Sequence, residues 1–251
     1  MTFTFTNQHL LNGEHNQINH HQHVDPHRYK SILADVILGG QDGLVNVLGI
    51  VLGIAAATSD PRIVLVAGLA ATSAESISMA AVAYTTTLAE TDHFESERER
   101  EYRHVQIAPA VEREEIYEIY RKKGFEGEIL NQIVEKITAD EDVWVGVMMA
   151  EEHQLTPANR RDAFRSAIIV GIAAVVGSLI PMIPFPFLNV TISIWVSLII
   201  SAATLFAVGV YKARTTIGHA GKSGFEMAAI GMVSALVGYL VGYVLKISPT
   251  P

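Results

Sequence analysis

Hydrophobic and polar positions fall in blocks along this chain. Apolar residues dominate 31–88 and 163–246, and a charged block at 89–162 separates them. A soluble domain would interleave the two kinds at helical or strand period. Runs approaching about 20 apolar residues match the thickness of a bilayer instead. The pattern predicts an all-α polytopic membrane protein with five transmembrane helices and a helical insertion between the second and third. The spans are expected at about 31–58, 61–88, 163–180, 188–210 and 225–245. Ser59, Asp60 and Pro61 break the first pair, and Pro61 sits at a favoured first-turn position.

The second helix is expected to leave the membrane without a break. From Ala89 to His104 there is no Gly or Pro, and the residues are strong helix formers. Pro109 starts a further helix that Gly124 ends. Two more are expected at about 126–138 and 140–154.

Charge changes this picture in two ways. The net charge is −8 with the acids concentrated in the insertion, which favours cations as partners and argues against nucleic acid. Basic residues flank the spans on one side: Arg28 and Lys30, then Arg160, Arg161 and Arg165, then Lys212, Arg214 and Lys222. The positive-inside rule therefore makes residues 1–30 and the 89–162 insertion cytoplasmic, with residues 247–251 a short tail on the other side. The first 30 residues lack the apolar core of a signal peptide and read as a flexible, His-rich tail able to hold divalent metal weakly. With no cysteine, disulfides and thiolate metal sites are excluded.

Candidate chemistry begins inside the spans. Asp35, Asp42 and Glu75 lie in apolar runs. A carboxylate at mid-bilayer costs about 2.5–3.5 kcal/mol on insertion scales, so a functional reading is the default. Met79, four residues after Glu75, shares its helix face. A carboxylate with a thioether suits Fe²⁺ or a similar transition ion better than Mg²⁺ or Ca²⁺. Gly39, Gly40, Gly43, Gly49 and Gly53 predict close packing of the first helix against another, or against its own copy in a homodimer. The Gly39–Gly40 pair also invites local opening of the helix, exposing carbonyl oxygens to an ion. In the insertion, Glu97, Glu101 and His104 share one face, as do Glu112, Glu115 and Glu118, while Met148 and Met149 stand three or four residues before Glu152. The bland alternative is a set of solvated helix faces laced with arginine pairs.

Taken in order, GGQDG at 39–43, AGLAATSAESISM at 67–79, the acidic insertion, VMMAEE at 147–152 and SLIPMIPF at 178–185 resemble the vacuolar iron transporter family. The resemblance covers about residues 29–246. It implies a five-helix fold that dimerises through its first helices, a cytoplasmic metal-binding domain, and exchange of Fe²⁺, often also Mn²⁺, for protons. By resemblance, Asp42 and Met79 fall on translocation positions, and Glu101, Glu112, Glu115, Met148, Met149 and Glu152 on metal-binding positions of the insertion. Two departures stand out. A second-helix glutamate of the eukaryotic pattern is Ala71 here, with Glu75 one turn further on, and His104 replaces a glutamate of the insertion.

The expected function is thus proton-coupled export of Fe²⁺ and Mn²⁺, with Co²⁺ or Zn²⁺ as further cargo, and no prosthetic group. A bacterial-type plasma membrane is favoured over a vacuole. The rival is a membrane-attached di-iron carboxylate oxidase or iron-storage protein, because Glu90 with His93 and Glu101 with His104 both have the E-x-x-H spacing of di-iron bundles. Both motifs fall on one helix, whereas that plan needs two. Walker, H-E-x-x-H and G-x-S-x-G motifs are absent, so a non-enzymatic role is expected.

Overall fold

The computed structural model describes residues 26–58, 60–157, 159–216 and 218–245. The His-rich tail at 1–25 and residues 246–251 lie outside the described residues, and side chains are described from residue 32. Among the described residues the chain is all helix, running α1 (Pro26–Ala57), α2 (Pro61–Ile107), α3 (Pro109–Lys122), α4 (Gly127–Thr138), α5 (Glu141–Glu151), α6 (Arg160–Leu179), α7 (Val190–Thr215) and α8 (Ala220–Val244). A 3₁₀ turn, Ile180–Met182, follows α6. Five helices are long and apolar enough to cross a membrane: α1, α2, α6 with the 3₁₀ turn, α7 and α8.

α1 is the hub of the bundle, packed chiefly against α6 and α8 and also against α2 and α7. Its glycines explain how. A methyl group at Gly39 or Gly43 would collide with the backbone carbonyls of Val170 and Ala174 on α6. One at Gly53 would strike the Gly238 carbonyl on α8. Glycine thus lets three backbones approach to near contact, which is how helices bind in lipid without a hydrophobic driving force. These glycines find their partners within the chain, so the expected close packing is met by α6 and α8. The expected opening at Gly39–Gly40 does not occur, because α1 is one continuous helix from Pro26 to Ala57. No proline interrupts it, and the neighbouring backbones leave no room for it to unwind.

Leu44, Leu48 and Leu52 of α1 pack with Leu205, Met227 and Ala235 on one side. Val47, Val51 and Ala55 pack with Val64, Met182, Phe185 and Val190 on the other. The proline-rich turn after α6 leaves carbonyls without helical partners. Ser193 and Ser197 of α7 donate to the carbonyls of Pro184 and Pro181, at 3.2 and 2.7 Å. Buried hydroxyls thereby satisfy backbone acceptors that lipid could not.

α2 is 47 residues long and unbroken, about 70 Å at 1.5 Å per residue. Asp60 caps its start by accepting from the Arg62 N–H at 2.8 Å. Its first half belongs to the bundle. Its second half carries Phe94, Tyr102 and Val105 into a separate core with Ile116, Leu130, Val134, Ile137, Trp144, Val145, Met148 and Met149 from α3, α4 and α5. The insertion is therefore a small helical cap with its own apolar interior, seated on an extension of a membrane helix.

Candidate functional site

Two groups of ligand-type side chains share α2. The first lies among the spans. Asp42 and Asn46 are one turn apart on α1, and Glu75 faces them from α2. The Asn46 Nδ2 donates to Asp42 Oδ2 at 3.2 Å and to Glu75 Oε1 at 3.0 Å. One side-chain amide thus spans two carboxylates that are 33 residues apart in sequence. Sequence reasoning singled out both acids and missed Asn46. Its signal was the i, i+4 spacing from Asp42, which a neutral residue in an apolar run does not advertise. Met79, half-buried, follows Glu75 one turn nearer the insertion on the same helix face. Asp35 lies two turns from Asp42 toward the insertion side and is also half-buried.

The second group lies in the cap, about 39 Å along α2 from Glu75 to Glu101. Two sets of three side chains bring their ligand atoms within 4.8 Å of one another: Glu97, Glu101 and His153, and Glu101, His104 and Glu112. Glu101 belongs to both and is 2% exposed; Glu112 is 5% exposed. His153 Nε2 lies 3.0 Å from Glu101 Oε1. His104 Nδ1 lies 3.6 Å from Glu112 and 3.8 Å from Glu101. Arg100 closes the outer edge, 2.9 Å from Glu97.

Local folding accounts for the convergence. α2 stacks Glu97, Glu101 and His104 on one side, and Pro109 turns the chain so that α3 presents Glu112. The chain leaves α5 through Glu152, and Gln154 adopts φ 55°, a left-handed turn that accompanies the seating of His153 against Glu101. Sequence reasoning missed His153 as a site residue, although it follows the Glu152 it did select. A contact across 52 positions depends on how the cap closes, which spacing along one helix does not reveal.

Electrostatics separate cap residues that spacing alone treats alike. Burial, then the nearby charges of Glu115 and Glu101, raise the Glu112 carboxyl above its ordinary value. Desolvation and then Glu115 do the same to Glu152. Glu115 and Glu152 therefore stand close enough to this cluster to repel it. Glu112 Oε2 is buried without a hydrogen-bond partner, a deficit of about 1–3 kcal/mol that a bound cation would remove. Met148 and Met149 are 0% and 3% exposed, within the apolar core of the cap. Of the two E-x-x-H pairs, Glu90 and His93 are exposed and stand outside both sets, whereas Glu101 and His104 join Glu112.

Five apolar spans around a paired carboxylate, with a carboxylate–histidine cluster at the far end of a shared helix, define a multi-pass membrane protein with metal-capable side chains both among its spans and in an attached cap. The VIT family model matches residues 33–243, and the chain belongs to that family. It is similar to vacuolar iron transporter 1 of Oryza sativa subsp. japonica, at 28% identity with 88% of each chain covered. It is also similar to the vacuolar iron transporter 1 of Arabidopsis thaliana, at 29% with 86% of each covered. That of Tulipa gesneriana is 30% identical over 83% of this chain and 85% of the relative.

Proposed function

We propose that this chain is a divalent-metal transporter that exchanges Fe²⁺, and also Mn²⁺, for protons and moves metal out of the cytoplasm. The observation that carries the reading is the meeting of Asp42 and Glu75 from separate spans through Asn46. Two carboxylates at one depth have a charge that a single dication, or protons, neutralises. That equivalence gives exchange a physical basis. Met79 adds a soft ligand that favours transition ions. The relatives' names supply independent support for iron as cargo.

In this reading the cap is cytoplasmic and concentrates metal. Glu97, Glu101, His104, Glu112, Glu115, Glu152 and His153 receive the ion, and Met148 and Met149 offer thioethers from the core side. The ion then passes to the α1–α2 pair. The protein works as a homodimer in a bacterial-type plasma membrane. The glycine faces of α1 are taken by α6 and α8, so the second copy meets a different face of α1.

The test is uptake by purified protein in proteoliposomes under an imposed pH gradient, with Fe²⁺, Mn²⁺, Co²⁺ and Zn²⁺ in competition. Metal flux driven by the gradient and lost in Asp42→Ala and Glu75→Ala is expected. Flux unchanged in both variants would sink the mechanism.

A further inference from the structure

The contact between Asn46 and its two acidic neighbours goes beyond holding helices together. Asn46 has no net charge, yet its NH₂ group places one proton donor on each carboxylate, at 3.2 and 3.0 Å. A lysine or arginine here would neutralise one carboxylate permanently and repel an arriving dication. An aliphatic residue would leave the two carboxylates with only each other as polar neighbours, and like charges would push them apart. An amide avoids both outcomes. It fixes the spacing of the two acids and leaves their charge free for the cargo.

The same side chain suits both states of such a site. Its two N–H groups face the acids when no cation lies between them. Rotation about its terminal torsion presents the carbonyl Oδ1 instead, a hard oxygen ligand of the kind divalent ions accept. That torsion is broad and two-fold, so the change needs no backbone movement.

We propose that Asn46 is the positioning residue of the intramembrane site: it sets the separation of Asp42 and Glu75, then turns its carbonyl to the cation that comes between them. This rests on the transport reading given above. The residue acts on how well the ion is held, so its loss falls on KM more than on kcat.

The experiment measures Fe²⁺ and Mn²⁺ uptake kinetics of the full chain in proteoliposomes for wild type, Asn46→Ala, Asn46→Ser, Asn46→Asp, Glu75→Ala and the Asn46→Ala/Glu75→Ala double variant. Removal of a group that orients a metal ligand lowers affinity about 10–100-fold. Asn46→Ala is expected to raise KM about tenfold with kcat within about threefold. Asn46→Ser, which keeps a donor and an oxygen, is expected to recover part of that loss. It carries the test if the alanine variant elutes as an aggregate. Asn46→Asp is expected to lower both KM and kcat, because a third carboxylate holds the ion and slows its release. The double variant is expected to be no worse than Glu75→Ala alone. A KM for Asn46→Ala within twofold of wild type, or equal losses in KM and kcat for both the alanine and serine variants, overturns the proposal. If wild type and Glu75→Ala differ while Asn46→Ala matches wild type, only the role of Asn46 falls. If wild type moves no metal, the transport reading falls and this proposal with it.

Discussion

The intramembrane pair and the cap cluster use the same carboxylates but hold them in different company. Asp42 and Glu75 meet a neutral amide, and among the described residues no lysine, arginine or histidine forms an ion pair with either. Glu97, Glu101 and Glu112 have Arg100, His104 and His153 at 2.9–3.8 Å. The cap therefore sets a guanidinium and two imidazoles of its own beside its acids. The pair has none, so only what enters the bundle can balance its charge. On the proposed function, capture by the cap and passage through the spans ask for different partners around the same kind of acid. In that reading, a cluster rimmed by half-exposed Arg100 and His104 tolerates competing cations, whereas a fixed cation among the spans would block the route.

Removing one acid from each region should separate the two sites. Asp42→Ala or Glu75→Ala is expected to lower metal flux about 100-fold or more, while equilibrium metal binding by the cap stays near wild type. Uptake and binding measured on the same preparation check this. Glu101→Gln is expected to weaken metal capture by the cap about 10–100-fold, since both triads share that residue. Its flux at saturating metal should stay within about threefold. Isothermal titration beside uptake assays would show whether the two losses separate as stated.

Met148→Leu tests the thioether inside the cap. The exchange nearly conserves volume, so a stability loss below about 1.5 kcal/mol is expected from denaturant unfolding. A severalfold fall in Fe²⁺ binding with Mg²⁺ binding unchanged would mark the thioether as a ligand. Equal binding of both ions would leave Met148 as packing alone.

The smallest expected effect is on pH dependence. Glu112 and Glu152 have raised carboxyl values, so both bind a proton more tightly folded than unfolded. Their stabilising contribution is complete below the ordinary glutamate value of 4.5 and is lost as pH climbs through the raised values. Without metal, the cap should be cut more readily by protease at about pH 8 than at about pH 5, after correction for protease activity. Added divalent metal should erase most of the difference, because it replaces the proton as the balancing charge.

Much of this arrangement was legible in the sequence because lipid imposes strong rules. The five spans, the continuity of α2 past Leu88, the start at Pro109 and the end near Gly124 follow from block hydropathy and backbone chemistry alone. Helix ends shifted where polar caps ruled. α6 begins at Arg160 because Asn159 caps it by accepting from the Arg161 N–H at 3.0 Å. α7 runs on to Thr215, with Lys212 and Arg214 in its last turn, where cations favour the helix C-terminus. Asp42 and Glu75 declared themselves by charge. Asn46 and His153 did not, because their roles come from contacts across 29 and 52 positions. The glycines of α1 announced close packing, but their number could not say that α6 and α8 would take it up.

The 47-residue rod of α2 has a consequence for how this chain can vary. Each residue added or deleted between Leu88 and Glu97 would swivel everything beyond it by about 100° and shift it by about 1.5 Å. A single-codon indel would therefore turn the whole cap, Glu101 and Glu112 together, to a new bearing on the bundle below. Only changes of about seven or eleven residues restore the bearing, so the stalk should tolerate substitution at its exposed positions far better than a change of length.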